Sequence, residues 1–113
     1  MTDKRPDKMT DKIVVLVTCS TPAEARRIAR AVVKARLAAC VSILPGAVES
    51  IYRWNGKLES AKELLLLIKT SRRRFAKLRL EIERLHSYDL PEMIALPIAA
   101  GSPEYLKWME TNL

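Results

Sequence analysis

The cysteine and histidine side chains of this sequence, which have the chemistry to bind a soft metal ion, are Cys19, Cys40 and the single histidine, His86. Cys19 ends an apolar run just before a predicted helix start, where the helix dipole lowers the pKa of a thiol and favours the thiolate that binds soft metals. Cys40 lies among small apolar residues and is interpreted as a core residue. We therefore predict Cys19 and His86 as candidate metal ligands, while a structural role for Cys19 stays open.

The elements around Cys19 are well marked. Five consecutive apolar residues, 13–17, are typical of a strand buried on both faces and hence central in its sheet. Thr21-Pro22-Ala23-Glu24 then supplies a capping hydroxyl, a proline at the first helical position and a carboxylate three residues on, which together form a capping box. We predict that the first helix begins here and ends near Arg36.

A long hairpin follows the first helix. Residues 39–54 read as one strand, Asn55-Gly56 suits a two-residue hairpin turn, and the apolar residues 64–68 can pair back. Such a strand would reach roughly 50 Å at about 3.3 Å per residue, beyond the ~20 Å of an ordinary strand. Pro45-Gly46 must bend or bulge it. The overhanging edge needs a partner, and a second copy of the same chain is the simplest candidate.

The second half of the chain supplies one more helix and one more strand before a short terminal helix. Ser71 is predicted to cap the second helix, which residues 86–91 end. Residues 93–98 read as the final strand, and Pro97 places it at an edge of the sheet because proline lacks the N–H that a central strand needs.

The order strand, helix, strand, strand, helix, strand, with a terminal helix, predicts an α+β fold, a ferredoxin-like βαββαβ sandwich. We expect one domain over residues 12–113, preceded by a disordered N-terminal tail at residues 1–11. With right-handed crossovers, Cys19 and His86 fall at one pole of this fold, near the hairpin tip. Cys40 falls at the other pole, roughly 20 Å away. Since a disulfide needs Cα atoms less than about 7 Å apart, we predict two free cysteines.

The charge balance is basic, with 20 Lys and Arg against 13 Asp and Glu and a formal net charge of +7. The basic residues are scattered except for Arg72, Arg73 and Arg74, which permit an anion contact without requiring one. A nucleic-acid partner is disfavoured because residues 64–68 lack the aromatics that stack on bases. Residues 13–17 are too short an apolar run for a membrane span or a signal peptide, so we expect a cytoplasmic protein with no membrane partner.

Enzymatic activity is not expected. The sequence has no nucleophile elbow, no phosphate-binding glycine loop and no Ser/His/Asp grouping. It also lacks the Cys-x-x-Cys pair of a metallochaperone.

Several spaced blocks of the sequence match a known family in order. They are Val17-Thr18-Cys19, Arg36-Leu37-Ala38-Ala39-Cys40-Val41, Ile51-Tyr52-Arg53-Trp54-Asn55-Gly56-Lys57, His86-Ser87-Tyr88 and Leu90-Pro91-Glu92-Met93-Ile94. In these blocks residues 13–113 resemble the CutA divalent-cation tolerance proteins. The resemblance implies a fold similar to that of the PII signalling proteins and a homotrimer formed by inter-subunit β-hairpin pairing. It also implies a cytoplasmic protein linked to tolerance of copper and other divalent metal ions.

The resemblance also implies a metal-ligand set. Members of the family described as copper-binding use a cysteine that matches Cys19 and a histidine that matches His86, with a second histidine just before it. Leu85 stands at that preceding position here, and Ser87 stands where a proline is usual. Two protein ligands of the types that bind copper well are left.

Two functional hypotheses follow. The first is a trimeric metal-binding protein with Cys19 and His86 as ligands, and with Glu59, Glu92 and Tyr88 as nearby polar groups.

The alternative is a PII-like trimeric signalling or scaffold module that binds a small anion or a partner protein in its inter-subunit clefts. Its lining would be Tyr52, Arg53, Trp54 and Lys57. Packing at an interface is the other explanation for these aromatic side chains.

Overall fold

The computed structural model describes residues 10–113 and contains one four-stranded antiparallel sheet with helices. The elements are β1 (Lys12–Cys19), α1 (Pro22–Lys34), β2 (Cys40–Trp54), β3 (Lys57–Ser71), a 3₁₀ turn (Arg72–Arg74), α2 (Phe75–Leu85), β4 (Ile94–Pro97) and α3 (Pro103–Thr111). The strand order across the sheet is β2-β3-β1-β4. This is a mixed α and β fold in the predicted order of elements.

β1 is the central strand, as its apolar run predicts. It pairs with β3 along its whole length and with β4 on the other side. Val15 and Val17 are fully buried in a core that contains Ile28 from α1 and Ile82 from α2. Val14 and Leu16, which point to the opposite face, are only half-buried. The helices therefore cover one face of the sheet, and the other face is partly open in the single chain.

β4 is an edge strand, which confirms the prediction from Pro97. Within the described residues it pairs with β1 alone. Its side chains are all exposed, and Ile94 and Leu96 retain about half of their accessible surface. A strand at this position can contain proline because one side of it needs no N–H donor.

The hairpin has the predicted turn and the predicted irregularity. Asn55 and Gly56 both have positive φ angles, 51° and 77°, as a two-residue hairpin turn with the twist of the strands requires. The register between β2 and β3 shifts between Leu44 and Val48, next to Pro45-Gly46. Each strand has 15 residues, and the longest dimension of the chain is 49 Å.

The start of α2 differs from the prediction. Ser71 caps no helix: it is the last residue of β3, it is buried, and its side chain makes no capping hydrogen bond. The 3₁₀ turn lies between it and α2, which begins at Phe75. Because Ser71 is paired with Lys12 in the sheet, the chain must first turn away from the strand before a helix can start.

The basic run at residues 72–74 contributes to an ion-pair network. Arg73 Nη2 lies 2.5 Å from Glu110 Oε2 in α3, and Lys12 Nζ lies 2.8 Å from Glu110 Oε1. The side chain of Lys12 is almost completely buried, and Asp11 binds the same ammonium at 2.6 Å. The ion pairs of Glu110 therefore connect the last turn of α3 to the start of β1.

The predicted disordered tail at residues 1–11 lies outside the described residues except for Thr10 and Asp11. Thr10 Oγ1 donates to the carbonyl of Ile98 at 2.8 Å, and the carbonyl of Asp11 accepts the N–H of Arg72 at 2.9 Å. These two residues are therefore hydrogen-bonded to the domain. Across the described residues, no helix is both long enough and apolar enough to cross a membrane.

The Glu110 network predicts a defined pH dependence. Hydrogen bonds from Arg73 and Lys12 lower the pKa of Glu110 from 4.5 to about 2. A carboxyl group whose pKa is depressed by folding stabilises the protein above its unfolded pKa, and this contribution is lost as the pH falls from about 4.5 toward 2. Glu110→Gln should therefore reduce the free energy of unfolding at pH 7 by about 1 kcal/mol or less, since the carboxylate is half exposed. Urea unfolding at pH 7 and pH 3 measures this.

The matched control is Glu104→Gln, in the first turn of the same helix. The difference in unfolding free energy between wild type and Glu110→Gln should shrink at pH 3, whereas that for Glu104→Gln should change less. A Glu110 difference that is the same at both pH values would show that the network contributes no pH-dependent stability.

Candidate metal site

Three buried side chains meet where β1 ends, and each comes from a different element. Cys19 is the last residue of β1 and pairs with Leu64 of β3. Glu24 is in the first turn of α1, and His86 immediately follows α2. Their exposed fractions are 0%, 5% and 8%. The strand end, the helix start and the helix end therefore place a sulfur, a carboxylate and an imidazole in the same small volume.

The distances within this cluster are short. Cys19 Sγ lies 3.8 Å from His86 Nε2, and one potential ligand atom from each of the three residues lies within 4.8 Å of the other two. The structure thus brings together the two residues that the sequence predicts and adds Glu24, which the sequence analysis assigned to helix capping.

Glu24 has an unusual environment. The hydroxyl of Thr21 does cap the helix by accepting the N–H of Glu24 at 3.2 Å, but the carboxylate turns toward the loop after α2. Its Oε2 accepts the N–H of Ser87 at 2.8 Å, and its Oε1 is buried with no hydrogen-bond partner among the described residues. Burial opposes ionisation of Glu24, but the hydrogen bonds from Ser87, the charge of His86 and the backbone of Ser20 together outweigh it and lower the pKa. The cluster therefore contains a buried carboxylate with one free oxygen.

His86 is hydrogen-bonded at both ring nitrogens. Nδ1 accepts the N–H of Tyr88 at 3.1 Å, and Nε2 faces the carbonyl oxygen of Thr18 at 2.8 Å. A ring nitrogen that accepts an N–H carries no proton, so this network assigns the proton to Nε2, which donates to Thr18. Ligation through Nε2 requires that this proton leave the atom and that the contact with Thr18 break.

The thiol of Cys19 is protonated at neutral pH. Burial raises its pKa to about 12, and the nearby negative charges of Glu24 and Glu63 raise it further than the positive charge of Arg27 lowers it. The expectation that the start of α1 lowers this pKa is therefore wrong, because burial and two carboxylates outweigh the helix dipole. A metal ion bound here must displace the thiol proton.

The donor set fits a metal ion. Thiolate, imidazole and carboxylate are the three side-chain ligands that proteins use for zinc and related ions. The free Oε1 of Glu24 is the observation that favours a cation, because a buried carboxylate oxygen without a donor is costly.

A cleft of about 810 Å³ lies beside the cluster, and most of the other predicted site residues line it. Tyr52 and Trp54 of the hairpin line it, as do Tyr88 and Glu92. Arg53 and Lys57 are not among its lining residues. Glu59 lies opposite Tyr52 in the hairpin and is exposed, so it is not in the cluster.

Tyr88 connects the cleft to the cluster. Its ring packs against His86 with the centroids 4.7 Å apart, and its hydroxyl donates to Glu63 Oε2 at 2.8 Å. Glu63 also lines the cleft and is buried. A change at His86 can therefore reach the cleft through one side chain.

Cys40 is remote from this cluster and differs from its prediction in one respect. Both cysteines are free, as expected. However, Cys40 is half-buried rather than in the core, and the ammonium of Lys69 lies 3.8 Å from its sulfur. The first residue of β2 is paired directly with Lys69 of β3, which accounts for this polar contact.

The fold and the cluster together define a small α and β protein with a buried cysteine, glutamate and histidine at the end of its central strand. Residues 13–112 match the family model described as CutA1 divalent ion tolerance protein. The chain is 52% identical over 99 residues to the divalent-cation tolerance protein CutA of Thermus thermophilus, covering 88% of this chain and 95% of that one. The chain therefore belongs to the CutA1 divalent-ion tolerance family.

Two further comparisons agree with this assignment. A solved structure of the divalent cation tolerance protein from Thermus thermophilus superposes with a TM-score of 0.87 at 50% identity, covering 89% of this chain and 97% of that chain. The chloroplastic protein CutA of Arabidopsis thaliana is 43% identical over 105 residues, which cover 93% of this chain and 57% of that protein.

The state of Cys19 predicts slow alkylation. In a Cys40→Ala variant, where Cys19 is the only cysteine, iodoacetamide at pH 8 should modify the folded protein at least roughly 100-fold more slowly than the urea-unfolded protein, because the buried thiol is protonated. Mass spectrometry against time measures both rates. The Cys19→Ala variant, which retains the half-buried Cys40, is the control. Equal rates for folded and unfolded Cys40→Ala would contradict the protonated, buried thiol.

Proposed function

We propose that this divalent-cation tolerance protein binds a metal ion, copper or another divalent metal, at Cys19 and His86 and acts in the response to metal ions. The observation that carries the proposal is the buried approach of the Cys19 sulfur to the His86 imidazole at 3.8 Å, beside a carboxylate with a free oxygen. Membership of the CutA1 family supports the link to divalent ions.

Binding at this site has a defined cost in protein contacts. Cys19 must lose its proton, and the proton on His86 Nε2 must leave or move to Nδ1, which now accepts the N–H of Tyr88. The N–H of Tyr88 must therefore move away from Nδ1 when His86 becomes a ligand through Nε2. We infer that the affinity of the site depends on how easily this contact is broken.

We further propose a ferredoxin-like, PII-like homotrimer that pairs through the hairpins. Ile51 and Leu58, on the part of the hairpin beyond the bulge, expose 66% and 76% of their surface. Large exposed apolar side chains on a long unpaired strand edge favour association. The half-buried Val14 and Leu16 on the open face of the sheet support the same conclusion.

We place the protein in the cytoplasm, where the two free cysteines stay reduced, and assign it no catalytic step. We infer that the tolerance of divalent ions after which the family is named results from metal binding and not from catalysis.

A second candidate function is a PII-like module that binds a small anion or a partner protein in a cleft between subunits. The cleft beside Tyr52, Trp54 and Tyr88 favours it, because its volume of about 810 Å³ is in the range of small-molecule sites. A ligand of the cleft would raise the unfolding midpoint equally in wild type and Cys19→Ala, whereas a metal at the cluster would raise it in wild type alone.

Calorimetric titration with Cu²⁺ and Zn²⁺ tests the metal site. Cys19→Ala and His86→Ala should each lower the affinity at least about tenfold, or ~1.4 kcal/mol, because each removes a ligand. The matched control is Cys40→Ala, which removes the cysteine outside the cluster and should leave the affinity unchanged. Equal heats from wild type and Cys19→Ala would eliminate Cys19 from the site.

Analytical ultracentrifugation tests the assembly. The wild-type chain should sediment as a trimer, and Ile51→Lys should shift it toward smaller species because a charge replaces an apolar contact of the hairpin. Leu80→Lys is the matched control, since Leu80 is comparably exposed but lies in α2, away from the hairpin. A stable wild-type monomer would refute the proposed trimer.

A further inference from the structure

Glu24 is the residue of the cluster that no sequence pattern assigned to metal binding. We propose that it is a third ligand beside Cys19 and His86, and that this set of ligands selects a divalent ion of the Zn²⁺ type over copper(I). The proposal rests on metal binding at Cys19 and His86 and adds to it a ligand and a metal class.

Glu24 lies close enough to Cys19 and His86 to bind the same ion. It is only 5% exposed, and a potential ligand atom of its carboxylate lies within 4.8 Å of those of Cys19 and His86. Zn²⁺ holds its ligands at about 2.0–2.3 Å in a tetrahedron, so its ligand atoms lie about 3.3–3.8 Å apart. The separation of 3.8 Å between Cys19 Sγ and His86 Nε2 already has this value. A contraction of about 1 Å at most brings Glu24 into the same geometry.

The two carboxylate oxygens of Glu24 have unequal contacts. Oε2 accepts the N–H of Ser87, and Arg27 Nη2 lies 3.9 Å from that same oxygen. Arg27 already donates to the carbonyl of Leu85 at 3.0 Å, and its side chain is mostly exposed. Oε1 is the free oxygen. The Ser87 contact thus holds the carboxylate in place and leaves one oxygen available to a cation.

The charge of the ligand set favours a divalent ion. When they bind a metal, Cys19 and Glu24 are both deprotonated and contribute two negative charges, while His86 is neutral. A divalent ion makes the buried site neutral, whereas copper(I) leaves one net negative charge. Since uncompensated charge is costly in a buried site, the set favours M²⁺. A mixed sulfur, nitrogen and oxygen set also suits Zn²⁺ better than copper(I), which prefers sulfur.

Zn²⁺ affinity and copper(I) affinity, measured by competition with chelators of known affinity, test the proposal. Glu24→Gln keeps the size of the side chain and an acceptor for Ser87 but removes the charge. It should lower Zn²⁺ affinity at least about tenfold and copper(I) affinity less than about threefold. The matched control is Glu63→Gln, which removes another buried carboxylate near Cys19 that is outside the cluster. It should lower Zn²⁺ affinity clearly less than Glu24→Gln does, because its charge acts on the ion from outside the set of ligands.

The outcomes separate this proposal from the proposed function. If Cys19→Ala lowers Zn²⁺ affinity and Glu24→Gln does not, Glu24 is not a ligand and the metal site stands. If Glu63→Gln matches Glu24→Gln, charge at a distance and not ligation explains the effect, and the proposal falls. If Glu24→Gln weakens both ions equally, the selection of a divalent ion is wrong. If wild type binds neither ion, or Cys19→Ala binds both like wild type, both proposals fall.

A measurement on the wild-type chain guards against a Glu24→Gln variant that does not fold. In protein labelled with ¹³C at glutamate carboxyl carbons, the resonance of Glu24 should move further on addition of Zn²⁺ than that of Glu63, which lies near the ion but does not bind it. A Glu24 resonance that does not move at saturating Zn²⁺ overturns the proposal.

Discussion

The pairing of β1 with both β3 and β4 is the constraint on which the rest of the structure depends. β1 is hydrogen-bonded on both sides, so its register is set both by β3 and by β4. Val15 and Val17 are fully buried on the helix side of the sheet. A slip of one residue would turn these side chains to the open face and move Cys19 away from the start of α1 and the end of α2. The candidate site therefore exists because hydrophobic burial fixes one strand.

The start of α1 and the loop after α2 convert that fixed strand end into a cluster and a cleft. Glu24 accepts the N–H of Ser87, and His86 joins the carbonyl of Thr18 to the N–H of Tyr88. The contacts of Glu24 with Ser87 and of His86 with Thr18 join residues more than 60 positions apart. The contact of His86 with Tyr88 lies within the loop after α2. Because Tyr88 also bonds to Glu63 in the wall of the cleft, the two candidate binding regions share a side chain. The candidate metal site and the cleft are therefore neighbours in the structure.

The sequence predicts those features that local chemistry dictates. Asn55-Gly56 specifies its turn, Pro97 specifies an edge, and five apolar residues specify the central strand. The failures all involve distant contacts. Ser71 is of a residue type that caps helices, but it is paired in the sheet and caps none. Glu24 fits the capping-box pattern, but its carboxylate accepts a hydrogen bond from a residue 63 positions away. The sequence signal for Glu24 as a member of the cluster was its position, five residues after a candidate cysteine and just beyond a strand-to-helix turn. Its burial could not be foreseen from spacing.

The protonated thiol and the attraction for a cation have the same physical origin. The chain carries a net charge of +7, but the end of β1 is surrounded by the buried carboxylates of Glu24 and Glu63. Their field, together with burial, raises the pKa of Cys19 and so retains a proton on the sulfur. The same field stabilises any positive charge that replaces that proton. A metal ion with two charges gains more from this field than a proton does. The thiol that we expect to react slowly with alkylating reagents is therefore also the one placed to exchange its proton for a divalent ion.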